Sequence, residues 1–115
     1  VGGIIAPGIM TSSKALSLNT ANLPWIEYKK LSKKAPLIGK NTFEALQSGL
    51  VNYMKYATEG IVAAVKKKYK SKLIVILTGG SSNLLQNNVN FEYIYRENTV
   101  LEGLNMILNF QKSLK

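Results

Sequence analysis

The stretch Leu73-Ile74-Val75-Ile76-Leu77-Thr78-Gly79-Gly80-Ser81-Ser82 decides the reading of the fold. Five consecutive apolar residues run straight into a polar turn with two glycines. A continuous apolar run bounded by a turn predicts a strand buried on both faces, as in parallel sheets covered by helices. The turn sets Thr78, two residues without side chains and two hydroxyls at the strand's C-terminal end. Ligands of open α/β sheets bind at that end, and glycines there let backbone N–H groups approach a phosphate. The same pattern also serves as a plain structural turn. The rest of the chain has to decide between the two.

Composition narrows the choice. A chain of 115 residues makes one domain, burying about two-thirds of its unfolded surface. It is 46% hydrophobic and 18% charged, without repeats or low-complexity tracts. No apolar run reaches the length of a membrane span. The apolar start, up to Met10, has no basic residue ahead of it and no small-residue cleavage pattern, so it does not read as a signal peptide. It looks instead like a strand met partway through a domain. Without cysteine there is no disulfide framework and no thiolate metal site; a cytoplasmic setting is expected.

Fifteen Lys and Arg against six Glu leave a net charge of +9, which brings anionic ligands, nucleic acid and membrane surfaces into consideration. There is no Asp and no His. Most acid/base, nucleophilic and metal chemistry draws on Asp, His or Cys, so the chain alone is poorly equipped for catalysis.

In chain order, Gly2-Gly3-Ile4-Ile5-Ala6-Pro7-Gly8 reads as a strand entering a Pro-Gly turn. Thr11, Ser12 and Ser13 offer N-caps for a short helix that stops before Pro24. Ile26, Tyr28 and Leu31, interleaved with Lys29, Lys30, Lys33 and Lys34, predict a short exposed strand on the surface rather than in the core. Asn41 with Glu44 makes a capping-box pattern, opening a long helix that reaches toward Tyr69. Phe43, Leu46, Leu50, Tyr53 or Met54, Ala57, Ile61 and Val65 recur on one face as core, or core plus a subunit interface. Gly49 and Gly60 within it predict close approach of another backbone, or a break near Gly60.

Five lysines between Lys66 and Lys72 complement the dipole at the end of that helix. A nucleic-acid reader would add arginines and stacking aromatics, and Arg96 is the chain's only arginine. Beyond the Leu73–Gly80 strand and turn, Ser81 to Gln86 predicts a short helix broken at Asn87-Asn88, and Phe91 to Tyr95 a short strand. Thr99 and Glu102 predict a second capping box, opening a terminal helix with Val100, Leu104, Ile107, Leu108 and Leu114 near one face. The order strand, helix, long helix, strand, helix, short strand, helix is an α/β layout.

Six motifs in fixed order then carry a resemblance. They are Gly2-Gly3-Ile4-Ile5-Ala6-Pro7-Gly8, Leu23-Pro24, Ile38-Gly39-Lys40-Asn41-Thr42, Gln47-Ser48-Gly49, Thr78-Gly79-Gly80 and Leu101-Glu102-Gly103-Leu104. Together they resemble the C-terminal half of type III pantothenate kinases. The resemblance implies the C-terminal domain, over residues 1–115, of a duplicated acetate-kinase/actin/Hsp70-like (ribonuclease H-like) fold, a partial sheet covered by helices. It implies ATP-dependent phosphorylation of pantothenate to 4′-phosphopantothenate, the first step of coenzyme A biosynthesis. Mg²⁺, a monovalent cation (K⁺ or NH₄⁺) and a homodimer through the long helix from Asn41 come with it.

Thr42 matches the family threonine that contacts pantothenate, and Thr78, Gly79 and Gly80 match the adenosine-side loop. The family's phosphate-binding, general-base and cation-site Asp residues precede the matched part. The resemblance therefore implies a missing or separate N-terminal half, and an isolated chain without activity. A different class stays open: a non-catalytic binding or regulatory protein whose basic surface holds an anionic partner. Nucleic acid or a membrane is not the expected partner.

Overall fold

The computed structural model describes residues 2–70 and 72–114; what the sequence predicts at Val1 and Ser71 lies outside them. Three helices, α1 (Ile9–Asn19), α2 (Thr42–Tyr69) and α3 (Thr99–Ser113), accompany two short strands, β1 (Ile76–Leu77) and β2 (Ile94–Tyr95). Two 3₁₀ turns, Tyr28–Lys30 and Gly80–Leu84, lie in the connections. The strands pair in parallel, with Ile76 opposite Ile94 and Leu77 opposite Tyr95. The fold is thus a small α/β arrangement.

α2 is the longest element, 28 residues, and its start follows the capping logic. The Glu44 N–H donates to Asn41 Oδ1 at 2.9 Å, and the Glu44 carboxylate accepts from the Lys40 N–H at 2.8 Å. A Cβ on Gly39 would sit 2.1 Å from the Ala45 nitrogen, so the entry to α2 leaves no room for a side chain there. The helix runs through Gly60 without a break, and a Cβ on either Gly49 or Gly60 would meet nothing within 4 Å. The predicted close approach at these glycines is therefore absent among the described residues.

One face of α2, through Leu46, Leu50 and Val51, forms the core with Ile9, Ile26 and Leu84. Ile26 is buried, which corrects the surface strand expected around it. The reason is Ser13: its buried hydroxyl accepts from the Ile26 N–H at 3.1 Å and donates to the Ile26 carbonyl at 3.0 Å. Both polar backbone groups are satisfied inside the core without a neighbouring strand. Ser13 is therefore an internal clasp and not a cap; α1 starts earlier, after Gly8. Gln47, Ser48 and Asn52 on α2 hold the incoming segment by donating to the carbonyls of Lys30, Leu37 and Pro36.

Three further expectations change. Gly2 to Ile5 form no strand, and Ile4 and Ile5 are exposed, because no strand edge lies beside them. In the run from Leu73 to Leu77 burial alternates: Leu77 is buried, whereas Ile74 and Ile76 are exposed. Among the described residues the strand is thus covered on one face only. At α3, Asn98 takes the cap position and Thr99 is already helical, so the second capping box does not form.

Candidate functional site

The first turn of α2 opens onto a groove between α1 and α2 of about 860 Å³. Ala6, Pro7, Ile9 and Leu16 line one side, and Leu46, Gly49, Leu50 and Tyr53 the other. Thr42 lies in its wall. Because Asn41 caps the helix, Thr42 is the first helical residue, and its exposed side chain is not committed to capping. The N–H groups of Thr42 and Phe43 lack intrahelical acceptors, as at any helix start. A hydroxyl, free donors and the positive end of a helix dipole thus border an apolar groove. That chemistry suits a ligand with an anionic or hydroxylated end and an apolar body. Gly49 keeps the groove open where a side chain would intrude.

The second place is the turn after β1. Gly79 has φ of +89°, a left-handed conformation that a residue with a Cβ adopts only under strain. Ser82 closes the turn by donating through its N–H and hydroxyl to the Gly79 carbonyl. A groove of about 480 Å³ follows, lined by Gly79, Gly80, Asn83, Gln86, Tyr95 and Glu97. Gly80 and Asn83 share a face because the 3₁₀ turn repeats every three residues, and Gln86 lies in the turn that follows it. Thr78 is exposed but is not among the lining residues.

A connection over a long sequence separation fastens this turn to the helical core. The Tyr28 hydroxyl, 52 residues away in the chain, donates to the Gly80 carbonyl at 2.9 Å. Burial, with the nearby Tyr95 adding to it, raises the Tyr28 pKa above 10.0. The hydroxyl therefore stays protonated and able to donate throughout the neutral range. Nothing local to Tyr28 in the sequence signals this bond. Asn83 and Gln86, by contrast, were discoverable from their three-residue spacing after Gly80.

Thr42 and the Gly79–Gly80 turn line separate grooves that share no residue. Lys40 is exposed and lies outside the lining of either. Among the described residues no group of three or more acidic, His or Cys side chains is placed to hold a metal ion. Glu is the chain's only carboxylate type. No helix among the described residues is long and apolar enough to cross a membrane.

The sequence model of the type III pantothenate kinase family matches residues 1–64, from the N-terminal segment through most of α2. The chain belongs to the type III pantothenate kinase family. It is 36% identical over 112 residues to a type III pantothenate kinase of Brevibacillus brevis, covering 97% of this chain and 43% of that relative. It is 32% identical over 103 residues to one of a Sulfurihydrogenibium species, covering 90% of this chain and 40% of the relative. The chain thus spans about two-fifths of the length of these curated relatives.

Proposed function

We propose that the chain is the C-terminal portion of a type III pantothenate kinase and carries ligand-contacting parts of its site, but not its catalytic groups. In the complete enzyme, the γ-phosphoryl group of ATP passes to pantothenate, giving 4′-phosphopantothenate and ADP at the start of coenzyme A biosynthesis. The observation that carries this reading is Thr42 in the wall of the α1/α2 groove, within the segment the family model matches. Its hydroxyl and the free N–H groups of the first helical turn hold the polar end of pantothenate. The apolar groove receives the rest of the molecule.

The Gly79–Gly80 turn, with Asn83, Gln86 and Tyr95 beside it, takes the adenosine side of ATP. The exposed Tyr53, Tyr56 and Ile61 make α2 the element through which two copies pair. Mg²⁺ and the monovalent cation belong to groups this chain does not supply. Phosphoryl transfer rests on positioning and on metal-assisted neutralisation of charge. The absence of Asp, the residue type that the resemblance assigns to those groups, supports this reading.

A coupled ADP-release assay with pantothenate, ATP, Mg²⁺ and K⁺ tests the reading. The isolated chain should show no pantothenate-dependent turnover, and turnover by it would sink the proposal. In an active complex with the remainder of the family length, Thr42→Val should raise the KM for pantothenate by about tenfold, the loss of one well-placed hydrogen bond. The KM for ATP should stay as it was.

A further inference from the structure

The groove after β1 has walls from two different segments. Gly79, Gly80, Asn83 and Gln86 come from the turn and the 3₁₀ segment, Tyr95 and Glu97 from the end of β2 and beyond. Leu84 anchors the far end of the 3₁₀ segment in the core. The glycine end has no side chain to anchor. Two successive glycines leave the backbone freer than residues with a Cβ would, and a Cβ built on either meets nothing within 4 Å. Only two residue pairs join β1 to β2, and a two-stranded sheet is marginal by itself.

Tyr28 supplies the missing tie. Its ring packs against the helical core of Ile9, Ile26, Leu46, Leu50 and Val51, outside both walls. Its hydroxyl donates to the Gly80 carbonyl at 2.9 Å. Among the described residues, no other side chain from outside the two segments hydrogen-bonds a residue lining this groove. The second wall is near as well: after burial, Tyr95 is the other group that raises the Tyr28 pKa.

We infer that Tyr28 is a positioning residue for the nucleotide: through Gly80 it sets the distance between the glycine wall and the Tyr95 wall, and so the width open to the adenosine part of ATP. The inference rests on the reading of this groove as the adenosine side. Tyr28 is not itself among the lining residues. Its effect passes through the Gly80 peptide group, which is planar and moves as a unit.

The experiment titrates ADP into the full isotope-labelled chain and follows the backbone amides. In the parent, shifts should concentrate at residues 79–86 and 95–97. Tyr28→Phe, which keeps the ring, should weaken ADP binding by about fivefold, the share of one hydrogen bond. Incorporating 4-aminophenylalanine in place of Tyr28 keeps a donor at the same ring position and should restore most of the affinity. Ser13→Ala removes hydrogen bonds elsewhere in the core and should leave ADP affinity unchanged. In the ligand-free chain, which has no cysteine of its own, spin labels on Asn83→Cys and Glu97→Cys report the separation of the walls. Their distance distribution should broaden in Tyr28→Phe and not in Ser13→Ala.

Equal ADP affinity in the parent and Tyr28→Phe overturns the inference and leaves the adenosine reading standing. Equal weakening by Ser13→Ala, or no recovery with the amino analogue, overturns it too, since either reduces Tyr28 to a general contribution to stability. ADP that moves none of these amides in the parent sinks the adenosine reading, and the role of Tyr28 with it. An unchanged label separation in Tyr28→Phe overturns the inference whatever ADP does.

Discussion

Single residues set the geometry at both grooves. Gly39 is held by space, since a Cβ there would collide with the backbone at the start of α2. Gly39→Ala should cost about 2 kcal/mol, in the range of overpacking changes, read as a lower urea midpoint. Tyr28→Phe removes the bond to the Gly80 carbonyl while keeping the ring. It should cost about 1 kcal/mol and speed amide exchange at the Gly79–Ser82 turn.

The same tyrosine gives a pH signature. Its folded pKa is raised, chiefly by burial and then by Tyr95, so the folded state holds the proton more tightly than the unfolded state. The resulting stability is complete below the unfolded value of about 10 and is lost as pH rises through the folded pKa. Urea midpoints should therefore fall less steeply above pH 10 in Tyr28→Phe than in the parent chain. An equal fall in both would refute the role assigned to this hydroxyl. None of this was readable from the residues around Tyr28, because the partner lies 52 positions away.

At the scale of elements, the helices were the legible part. The capping pair and the apolar recurrence of α2 act within a few residues of one another, so a one-dimensional pattern suffices to place the helix. The same recurrence does not say which part of the stripe is covered. Leu46 and Leu50 are buried, yet Tyr53 and Ile61 on the continuation are exposed. Gly49 and Gly60 sharpen the point, since the space beside each is open. Gly49→Ala and Gly60→Ala should each stabilise the isolated chain by up to about 1 kcal/mol through helix propensity, measurable by thermal unfolding. If the α1/α2 groove binds pantothenate or a second α2, Gly49→Ala should weaken that binding while Gly60→Ala does not.

For the whole molecule, the α/β class and the parallel pairing agree with the sequence, but the first strand and the covering of the sheet do not. The run from Leu73 to Leu77 has the composition of a strand buried on both faces, and here one face is bare. Such a run is satisfied only by layers on both sides, and this chain folds with one. The chain has no Asp, the residue type that the resemblance assigns to the family's catalytic and cation sites. Part of the positive charge has a local role, since Lys66, Lys67 and Lys68 sit in the last turn of α2, where cations complement the dipole.

The sequence by itself determined the helices, the Gly-Gly turn after the strand, the family motifs and the absence of Asp. These depend on local spacing, on backbone preference or simply on which residues are present. Only the tertiary structure decided that Ser13 clasps Ile26 within the core, that Tyr28 anchors the turn, and that Thr42 stands free at the mouth of a groove. Those are encounters between distant segments, which no local pattern encodes. The opening stretch shows both sides: its turn was legible because glycine alone tolerates the φ of Gly79, whereas its burial depended on which layers pack against it.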